Sequence, residues 1–464
     1  MSGIKEDIKT RDAIDFAKDN VWSLFGRMFV PTLLGMVSMV ILNLADGAFV
    51  GHGAGSEALA AINIAAPIFT IMTGIGIMFG IGSSIIASVH LAKNNVKAAR
   101  INMTQALIGS IVVTGLISAL ILTNLDTTCM LFGSSPELVP LAGSYLRWIA
   151  IFMPFQMLGM VGGFSVRLDG SPKFAMSCTL IASLLNIVLD YVFIFPLGMG
   201  LEGAAIATSI SFSVSAVILL YYIFAKATTL KPYRLKVSRK SFALACRNLY
   251  YQAKAGFSAM LGEIAISGSM IVGNFVFIHY LGEDGVAAYS VACYCTPIIF
   301  MLANAIVQSS QPIISYAHGA GDSQRIREAR KVVITSGVVA GLLSTILLCL
   351  CPEIITAIFL TPDQHAYTLA VEGMPYFGSG SLFITLNLVV IGYLQSMERS
   401  MQATVFTLLR GFILVIPAFI LLPRVMGTEG IWLAIPAAEL ATLATIAILP
   451  LRKACSWRTR ATLK

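Results

Sequence analysis

The feature that most constrains this chain is a series of apolar stretches, each long enough to cross a lipid bilayer. Crossing the hydrocarbon core takes about 20 residues at about 1.5 Å of helical rise each. Twelve such stretches follow one another and leave almost no room for a soluble domain, so the sequence predicts an all-α polytopic membrane protein. The stretches lie near residues 22–50, 58–81, 101–123, 139–165, 174–195, 203–224, 256–278, 286–310, 331–351, 371–395, 402–422 and 430–450.

Composition agrees with this prediction. Hydrophobic residues make up 57% of the 464 positions and charged residues 12%, with a mean hydropathy of +0.83. Soluble domains average about 45–50% apolar and about 25% charged residues. The chain therefore belongs to the membrane class, and its charges have to be explained by where they stand between the spans.

The positive charge is sorted by connection. Alternate connections carry almost no Lys or Arg, with Arg147 and Arg424 as exceptions. Because Lys and Arg concentrate on the cytoplasmic side of a membrane, we expect both termini to be cytoplasmic. The formal net charge of +8 then reflects topology, and no nucleic-acid partner is expected. The basic connections and termini carry Lys5, Lys9, Arg11, Lys18, Lys93, Lys97, Arg100, Arg167, Lys173, the series Lys226 to Lys254, Arg325, Arg327, Arg330, Lys331, Arg399 and the series Arg452 to Lys464.

The second half of the sequence repeats the first at an offset of 227 residues. Matched pairs at this offset include Gly55 and Gly282, Ala61 and Ala288, Pro196 and Pro423, and Glu202 and Glu429. Each half holds six spans, so both halves run in the same sense, and repeats of this kind are related by an axis along the membrane normal. We therefore expect two six-helix lobes, 1–225 and 255–464, joined by a cytoplasmic linker at 226–254.

Four polar residues of the first half have apolar residues at the matching positions of the second. They are Asp46, Asn186, Asp190 and Thr208. Counted from the outer ends of their helices, Asp46, Asp190 and Thr208 lie about 7 to 9 Å deep. Asn186 is one turn deeper than Asp190 and shares its face. The four are predicted to line one pocket in the first lobe, open to the outside.

The two carboxylates of this set have no basic neighbour at their depth in spans one, five or six. A charged carboxylate in hydrocarbon costs about 2.5 to 3.5 kcal/mol, so Asp46 and Asp190 are expected to hold a proton, bind a cation, or both. Asn186 and Thr208 add neutral oxygens for either purpose. A structural alternative remains open, since an isolated Asp near a helix end is often capped or snorkels to the interface. Pro31 in span one is a candidate hinge, with a plain kink as the alternative.

The second lobe carries a different polar set: Glu263 in span seven, Arg410 in span eleven and Glu439 in span twelve. One interpretation is an internal ion pair between Arg410 and Glu439 that locks the lobe. The other is that they form part of a second-lobe site, with Glu263 as a candidate for drug binding or coupling.

Four stretches together resemble one family over essentially the whole chain. They are "ADGAFVGHGAGSEALAA", "YLRWIAIFMPF", "RLDGSPKFAM" and "LNIVLDYVFIFPLGMGLEGAAIAT". The chain resembles the multidrug and toxic compound extrusion (MATE) transporters, in their prokaryotic DinF-like and MepA-like branch. The resemblance implies a V-shaped MATE/MOP-type bundle of twelve helices that sits, as a monomer, in the prokaryotic plasma or inner membrane. It also implies efflux of cationic or amphipathic drugs in exchange for H+ or Na+, with no cofactor besides this coupling ion.

The resemblance also assigns site residues. DinF-like members place an Asp on helix one, an Asn and an Asp on helix five and a Thr on helix six, which match Asp46, Asn186, Asp190 and Thr208. If the coupling ion is Na+, the same four residues are its expected ligands. Two departures stand out. Span ten has no Asp to join Glu263 in a Na+ site of the NorM type, and Tyr191 stands where MepA-like members commonly have Pro.

Two other functions are weighed against efflux. A lipid-linked oligosaccharide flippase of the same superfamily needs basic residues in its cavity to hold pyrophosphate, and within the spans only Arg410 is clearly available. A membrane-embedded enzyme needs acids, histidines or metal ligands clustered on one face. "DGAFVG" and "DGSPKF" begin like a phosphotransferase motif but lack its later residues, so no enzymatic activity is expected.

Overall fold

Helices form all the regular secondary structure in the ranges that the computed structural model describes. These ranges are residues 14–132, 134–236 and 238–457, without the side chains of residues 56, 59, 60, 63 and 449–457. The basic residues Lys5, Lys9 and Arg11, which support the predicted orientation, lie outside the described residues. The same holds for the basic side chains from Arg452 onward.

The first half folds into six helices of membrane length. Asn20 caps the first by accepting hydrogen bonds from the backbone N–H groups of Trp22 and Ser23, and Asn95 caps the third through Ala98 N–H. A short helix, Leu125–Leu131, precedes the fourth. The six are α1 (Val21–Gly53), α2 (Ser56–Ala92), α3 (Val96–Thr123), α4 (Val139–Leu168), α5 (Pro172–Ile194) and α6 (Gly200–Lys226).

The second half opens with 82 helical residues, Arg239–Ala320, interrupted at Gly282. The rings of Phe277 and Tyr289 stack with centroids 4.3 Å apart. Twelve residues of straight helix would separate them by about 18 Å, so the chain reverses at Gly282. It thereby forms two helices, α7 (239–281) and α8 (283–320). The turn requires φ +67° and ψ −158° at Gly282, a combination open essentially to glycine alone.

Four further spans complete the second half. They are α9 (Ser323–Leu350), α10 (His365–Gly378 and Ser381–Ser396, bent by 43°), α11 (Ser400–Met426) and α12 (Thr428–Trp457). Ten of the described helices are long and apolar enough to cross a membrane, when the 82-residue helix is counted once, and the bent pair adds another. Since the 82-residue segment supplies two spans, the twelve predicted spans are confirmed.

The outer surfaces of these helices are as apolar as their buried faces. Leu116 and Leu120 on α3 are 68% and 66% exposed, and Leu343 and Leu347 on α9 are also largely exposed. Buried positions on the same helices include small polar residues, such as Ser110 and Thr114. Such a distribution is expected where lipid, and not water, covers the outside.

The described chain divides into two compact units. Unit 1 comprises Met1–Glu263, Gln308–Ala329 and Gln395–Ser400, and unit 2 comprises Ile264–Val307, Arg330–Leu394 and Met401–Lys464. Unit 1 thus contains α1 to α6 and the parts of α7, α8, α9 and α10 that adjoin basic connections. We call the helix ends at these connections the basic end. These units are defined by spatial contacts, whereas the predicted lobes, 1–225 and 255–464, follow the sequence repeat. The two divisions differ, so the lobe bounds remain predictions.

The start of the predicted linker is held against the end of α4, within unit 1. Asp169, at the end of α4, accepts hydrogen bonds from the backbone N–H groups of Thr228, Thr229 and Leu230 at 2.8–3.2 Å, and from the Tyr222 hydroxyl at 3.0 Å. This role explains why "LDGSP" carries an acid at a helix end. Helix α7 begins at Arg239, so the later part of the segment 226–254 is helical.

Replacing Gly282 with Ala tests the hairpin between α7 and α8. A side chain at this backbone conformation costs about 1 to 3 kcal/mol, so Gly282→Ala should lower the midpoint of thermal unfolding in detergent. Gly262→Ala is the matched control, because Gly262 is helical and a methyl group there meets no atom within 4 Å. Equal unfolding midpoints for the two variants would contradict the assigned turn.

Candidate functional site

Helices α5 and α6 bring together the neutral members of the predicted pocket in unit 1. Asn186 Nδ2 donates to Thr208 Oγ1 at 3.3 Å. Asn186 and Asp190 are both fully buried, and Thr208 is 9% exposed. Because Asn186 and Asp190 are four residues apart on one helix, they present their side chains on the same face. The amide is thereby held beside the carboxylate.

Helix α1 adds the second carboxylate. The side chains of Asp46 and Asp190 lie within hydrogen-bonding reach of each other, and Asn186 lies beside Asp190. Yet among the described residues no donor completes a hydrogen bond to Asp46 Oδ1, to either carboxylate oxygen of Asp190, or to Asn186 Oδ1. The pocket is therefore a cluster of buried acceptor oxygens. We call Asp46, Asn186, Asp190 and Thr208 the acceptor cluster.

Tyr145 on α4 is a fifth member of this neighbourhood that the sequence analysis missed. Its phenol interacts electrostatically with both Asp46 and Asp190. Tyr145 is six residues from the first residue of α4, Val139, so it lies about 9 Å into the helix. This depth matches that of the two acids. The depth argument would have found it had it been applied to uncharged polar residues of span four.

The proposed hinge residue Pro31 is buried inside α1. Proline removes one backbone hydrogen bond and so creates a point where a helix bends easily. Between Pro31 and Asp46, α1 contacts α5 through Ser38 and Ser183, whose hydroxyl oxygens are 3.3 Å apart. A bend at Pro31 would change this contact together with the position of Asp46. Its role as a hinge remains a prediction.

The polar residues of unit 2 pair with each other. Arg410 Nε donates to Glu439 Oε1 at 3.0 Å and to Oε2 at 3.2 Å, and its Nη2 also bonds Oε1. The side chain of Asn387 on α10 donates to Glu439 Oε2 at 2.6 Å, and the Phe300 ring lies 5.1 Å from the Arg410 guanidinium. This is the internal ion pair that the sequence analysis gave as one interpretation. Its charges are matched and largely hydrogen-bonded.

Two details of this pair were not foreseen. Asn387 looked like an ordinary position in an apolar run, although a lone amide in such a run is itself a signal. Arg410 stands in a π-helical turn, Leu409–Ile413, a local widening that is frequent at functional sites. Glu263 belongs to unit 1 and is half-buried. Among the described residues it forms no ion pair, and its role remains a prediction.

The Arg410–Glu439 pair of unit 2 and the acceptor cluster of unit 1 differ in what each can still bind. The unit 2 pair is electrically neutral, with the acid already bound to a guanidinium. In the part of the chain that the structure describes, no cationic side chain pairs with the two acids of the acceptor cluster, so the cluster can take up a proton between the carboxyls or a cation among four or more oxygens. Within the described residues no group of three His, Cys, Asp or Glu side chains forms a metal site. Any cation held here would have to use neutral oxygens as well as the two acids.

Comparison with known proteins matches both halves of the chain to one family. The family model described as MatE matches residues 31–192 and 258–420. The two matches begin 227 residues apart, the same offset as the internal repeat. The acceptor cluster falls in the first match except for Thr208, and Arg410 falls in the second.

Individual relatives and solved structures resemble the chain over nearly its full length. The multidrug export protein MepA of Staphylococcus aureus is 24% identical over 435 residues, covering 94% of each chain. A MOP superfamily transporter from Pyrococcus furiosus, described as having a binding pocket of reverse polarity that suggests a different function, has a TM-score of 0.86 at 22% identity, covering 95% of this chain and 97% of its own. A MATE in complex with MaD3S has a TM-score of 0.85 at 23% identity, covering 95% and 97%. At these identities the structures show a shared fold.

The ion pair of unit 2 predicts a non-additive response to mutation. Glu439→Leu or Arg410→Met alone leaves a buried charge without its partner, which costs about 3 to 5 kcal/mol. The double variant Arg410→Met with Glu439→Leu removes both charges and should recover a large part of this loss. Thermal unfolding in detergent of the native protein, the two single variants and the double variant measures the interaction energy between Arg410 and Glu439. Additive effects would mean that the pair does not stabilise unit 2.

Proposed function

This chain belongs to the MatE family, and on that premise we propose that it exports cationic or amphipathic drug-like molecules in exchange for H+ or Na+. Members of this family are transport proteins, so the chain is a multi-pass membrane transporter and not an enzyme. The proposed multidrug substrate range is supported by the resemblance to MepA over 94% of both chains. A monomer with both termini in the cytoplasm of a prokaryotic cell is part of the proposal.

The observation that carries the coupling mechanism is the acceptor cluster. Two acids lie side by side in a membrane-spanning unit, and three of their buried oxygens receive no hydrogen bond from the described residues. An arrangement of this kind is costly in hydrocarbon unless a positive species joins it. One proton shared by Asp46 and Asp190 supplies a donor and removes one charge. A Na+ ion likewise compensates one negative charge, with the Asn186 and Thr208 oxygens as additional ligands.

The exchange follows from the competition between these species. A cationic drug and the coupling ion both compensate the same negative charge, so binding of one weakens binding of the other. Loss of the proton or Na+ leaves two like charges in contact, which favours a change in the position of Asp46. Since Asp46 lies on α1 beyond Pro31, we propose that α1 bends at this proline to separate the acids. Each full cycle then moves drug and ion in opposite directions.

The flippase function loses the cation that the sequence analysis named for it. A pyrophosphate-linked lipid requires free cationic side chains. Arg410 is the cation that the sequence offered for this purpose, but its guanidinium is bonded to Glu439. The acceptor cluster has the opposite charge from the one that such a substrate needs. Efflux of cations is therefore the function that the geometry favours.

Substitution of the two acids tests the coupling site. Asp46→Asn and Asp190→Asn should each reduce gradient-driven efflux of a fluorescent lipophilic cation by about 100-fold, since an amide neither takes up a proton nor supplies a charged ligand. Transport is measured in proteoliposomes with an imposed H+ or Na+ gradient. Asp126→Asn is the matched control, because Asp126 is exposed on the short helix Leu125–Leu131.

The outcomes of this experiment separate the alternatives. Unchanged transport in both site variants would contradict the coupling role and direct attention to Glu263. Absence of cation transport in the native protein under either gradient, with the fold intact by thermal unfolding, would contradict the proposed efflux function.

Thr208 provides a test of the coupling ion. Its hydroxyl accepts a hydrogen bond from Asn186 and can bind Na+, whereas a shared proton between the acids does not need it. Thr208→Val should therefore raise the Na+ concentration for half-maximal transport by about tenfold and leave H+-driven transport within about twofold. Thr123→Val is the control, since the Thr123 hydroxyl bonds only to carbonyl groups and a neighbouring side chain at the end of its own helix. Equal losses with both ions would contradict a specific role in Na+ binding.

A further inference from the structure

At the basic end of unit 1, α2 and α7 cross at a distance that only glycine permits. A Cβ added to Gly82 would overlap the backbone carbonyl oxygen of Gln252, and a Cβ added to Gly256 would overlap the carbonyl oxygen of Met78. The contact is reciprocal: each helix offers a glycine to a carbonyl of the other. Helices that pack in this way through small residues approach backbone to backbone.

The last part of α8 also packs closely on α2. A Cβ on Gly319 would lie 2.7 Å from the Cα atom of Val89. The hydroxyl of Ser88 donates to the carbonyl oxygen of Pro312 at 3.1 Å. Residues 78–89 of α2 are therefore in close contact with both α7 and α8, all within unit 1.

The side chains along these crossings are polar and incompletely bonded. Ser84, Gln252, Ser258 and Gln311 are at most 2% exposed. Each of them has a buried oxygen that receives no hydrogen bond from the residues that the structure describes. We call these four residues the polar seam. Gln252 is bonded on its amide side, where Nε2 donates to the Asn102 carbonyl oxygen at 2.9 Å and to Asn102 Oδ1 at 3.2 Å.

A seam of this composition separates more easily than an apolar contact. Opening an apolar interface exposes hydrocarbon to water at a cost proportional to area. Opening the polar seam instead lets water bond to hydroxyl and amide oxygens that are unpaired while buried. The glycine crossings supply close packing without large side chains. The closed seam is therefore tight, and its open form is stabilised by hydration.

We propose that the polar seam is a gate at the basic end of the transporter, which opens to admit water and substrate, and that Gly82 and Gly256 set how tightly it closes. The inference rests on the proposed transport function. It goes beyond that function by naming the contacts that must separate, and it assigns to two glycines a role in the balance between the closed and open forms.

Methyl groups at the two glycines should shift this balance. A Cβ at Gly82 or Gly256 meets backbone, which cannot move aside as a flexible side chain can, so the closed form is destabilised and the open form is not. The readout is the rate at which a membrane-impermeant maleimide in inside-out vesicles modifies a cysteine introduced by Ser258→Cys, with the modified peptide identified by mass spectrometry. Gly82→Ala and Gly256→Ala should each raise this rate by about tenfold or more.

Two other glycines give matched controls. Gly262 on α7 and Gly163 on α4 have no atom within 4 Å of an added Cβ, so Gly262→Ala and Gly163→Ala should leave the rate unchanged. Equal rates in all four glycine variants would overturn the proposal. If Gly82→Ala or Gly256→Ala fails to fold, the chain with native glycines and Ser258→Cys still decides. Its modification rate must then respond to an imposed H+ or Na+ gradient, and an inert cysteine during active transport would overturn the gate.

The labelling experiment is separable from the drug-efflux experiment. The labelling experiment uses no drug. If Gly82→Ala and Gly256→Ala raise the labelling rate while no lipophilic cation is transported, the proposed gate is supported and the proposed substrate class is rejected. Conversely, cation efflux that proceeds while Ser258→Cys stays unmodified would reject the gate and leave the efflux function standing.

Discussion

Hydrocarbon gives a polar side chain no partner, and the organisation of this protein depends on how its buried polar groups meet that constraint. In unit 2 the charged groups meet the constraint within the protein, since Arg410 and Asn387 both bond to Glu439, while Asn387 Oδ1 has no donor among the described residues. In unit 1 Asp46 and Asp190 bring two acids together, and no donor among the described residues bonds three of their buried oxygens. The acid of unit 2 is therefore neutralised by its own partner, whereas for the acids of unit 1 we propose a proton or an ion from outside.

The internal repeat makes this difference informative. At the offset of 227 residues, Asp190 corresponds to Pro417 and Arg410 to Ser183. Both halves use the same succession of six spans, so the helical scaffold does not decide where charges go. Polar residues at a few positions give unit 1 the acceptor cluster and unit 2 the Arg410–Glu439 ion pair. Fold and function are for that reason separable in this chain.

Much of the architecture could be predicted because lipid imposes a simple pattern on sequence. Span number follows from hydropathy. The proximity of Asp46, Asn186, Asp190 and Thr208 followed from depth and from the absence of basic neighbours. The sequence analysis did not predict that Tyr145 lies beside the two acids, because an uncharged aromatic residue in a span resembles one that only packs.

Other features depended on chain path, which hydropathy does not encode. Asp169 binds backbone groups about 60 residues away, and only the folded course of the linker reveals this. The reversal at Gly282 was expected as a connection. Its shortness, with helix on both sides of one glycine, depends on a backbone conformation that is visible only in the structure. Reciprocal contacts such as Gly82 with Gln252 likewise require the helix crossing to be known.

Incomplete hydrogen bonding is common to the acceptor cluster and the polar seam, the two sets of residues that we propose change state during transport. A group whose hydrogen bonds are all satisfied in one state loses them on moving, and that loss holds it in place. The Arg410 and Glu439 pair is held in this way. Asp190 and Gln252 each retain buried oxygens without a donor among the described residues, so a second state that supplies an ion or water is stabilised relative to the first. In unit 1 such oxygens lie on the acids Asp46 and Asp190 and on the polar seam near the basic end, so a change of state at these positions forfeits few hydrogen bonds.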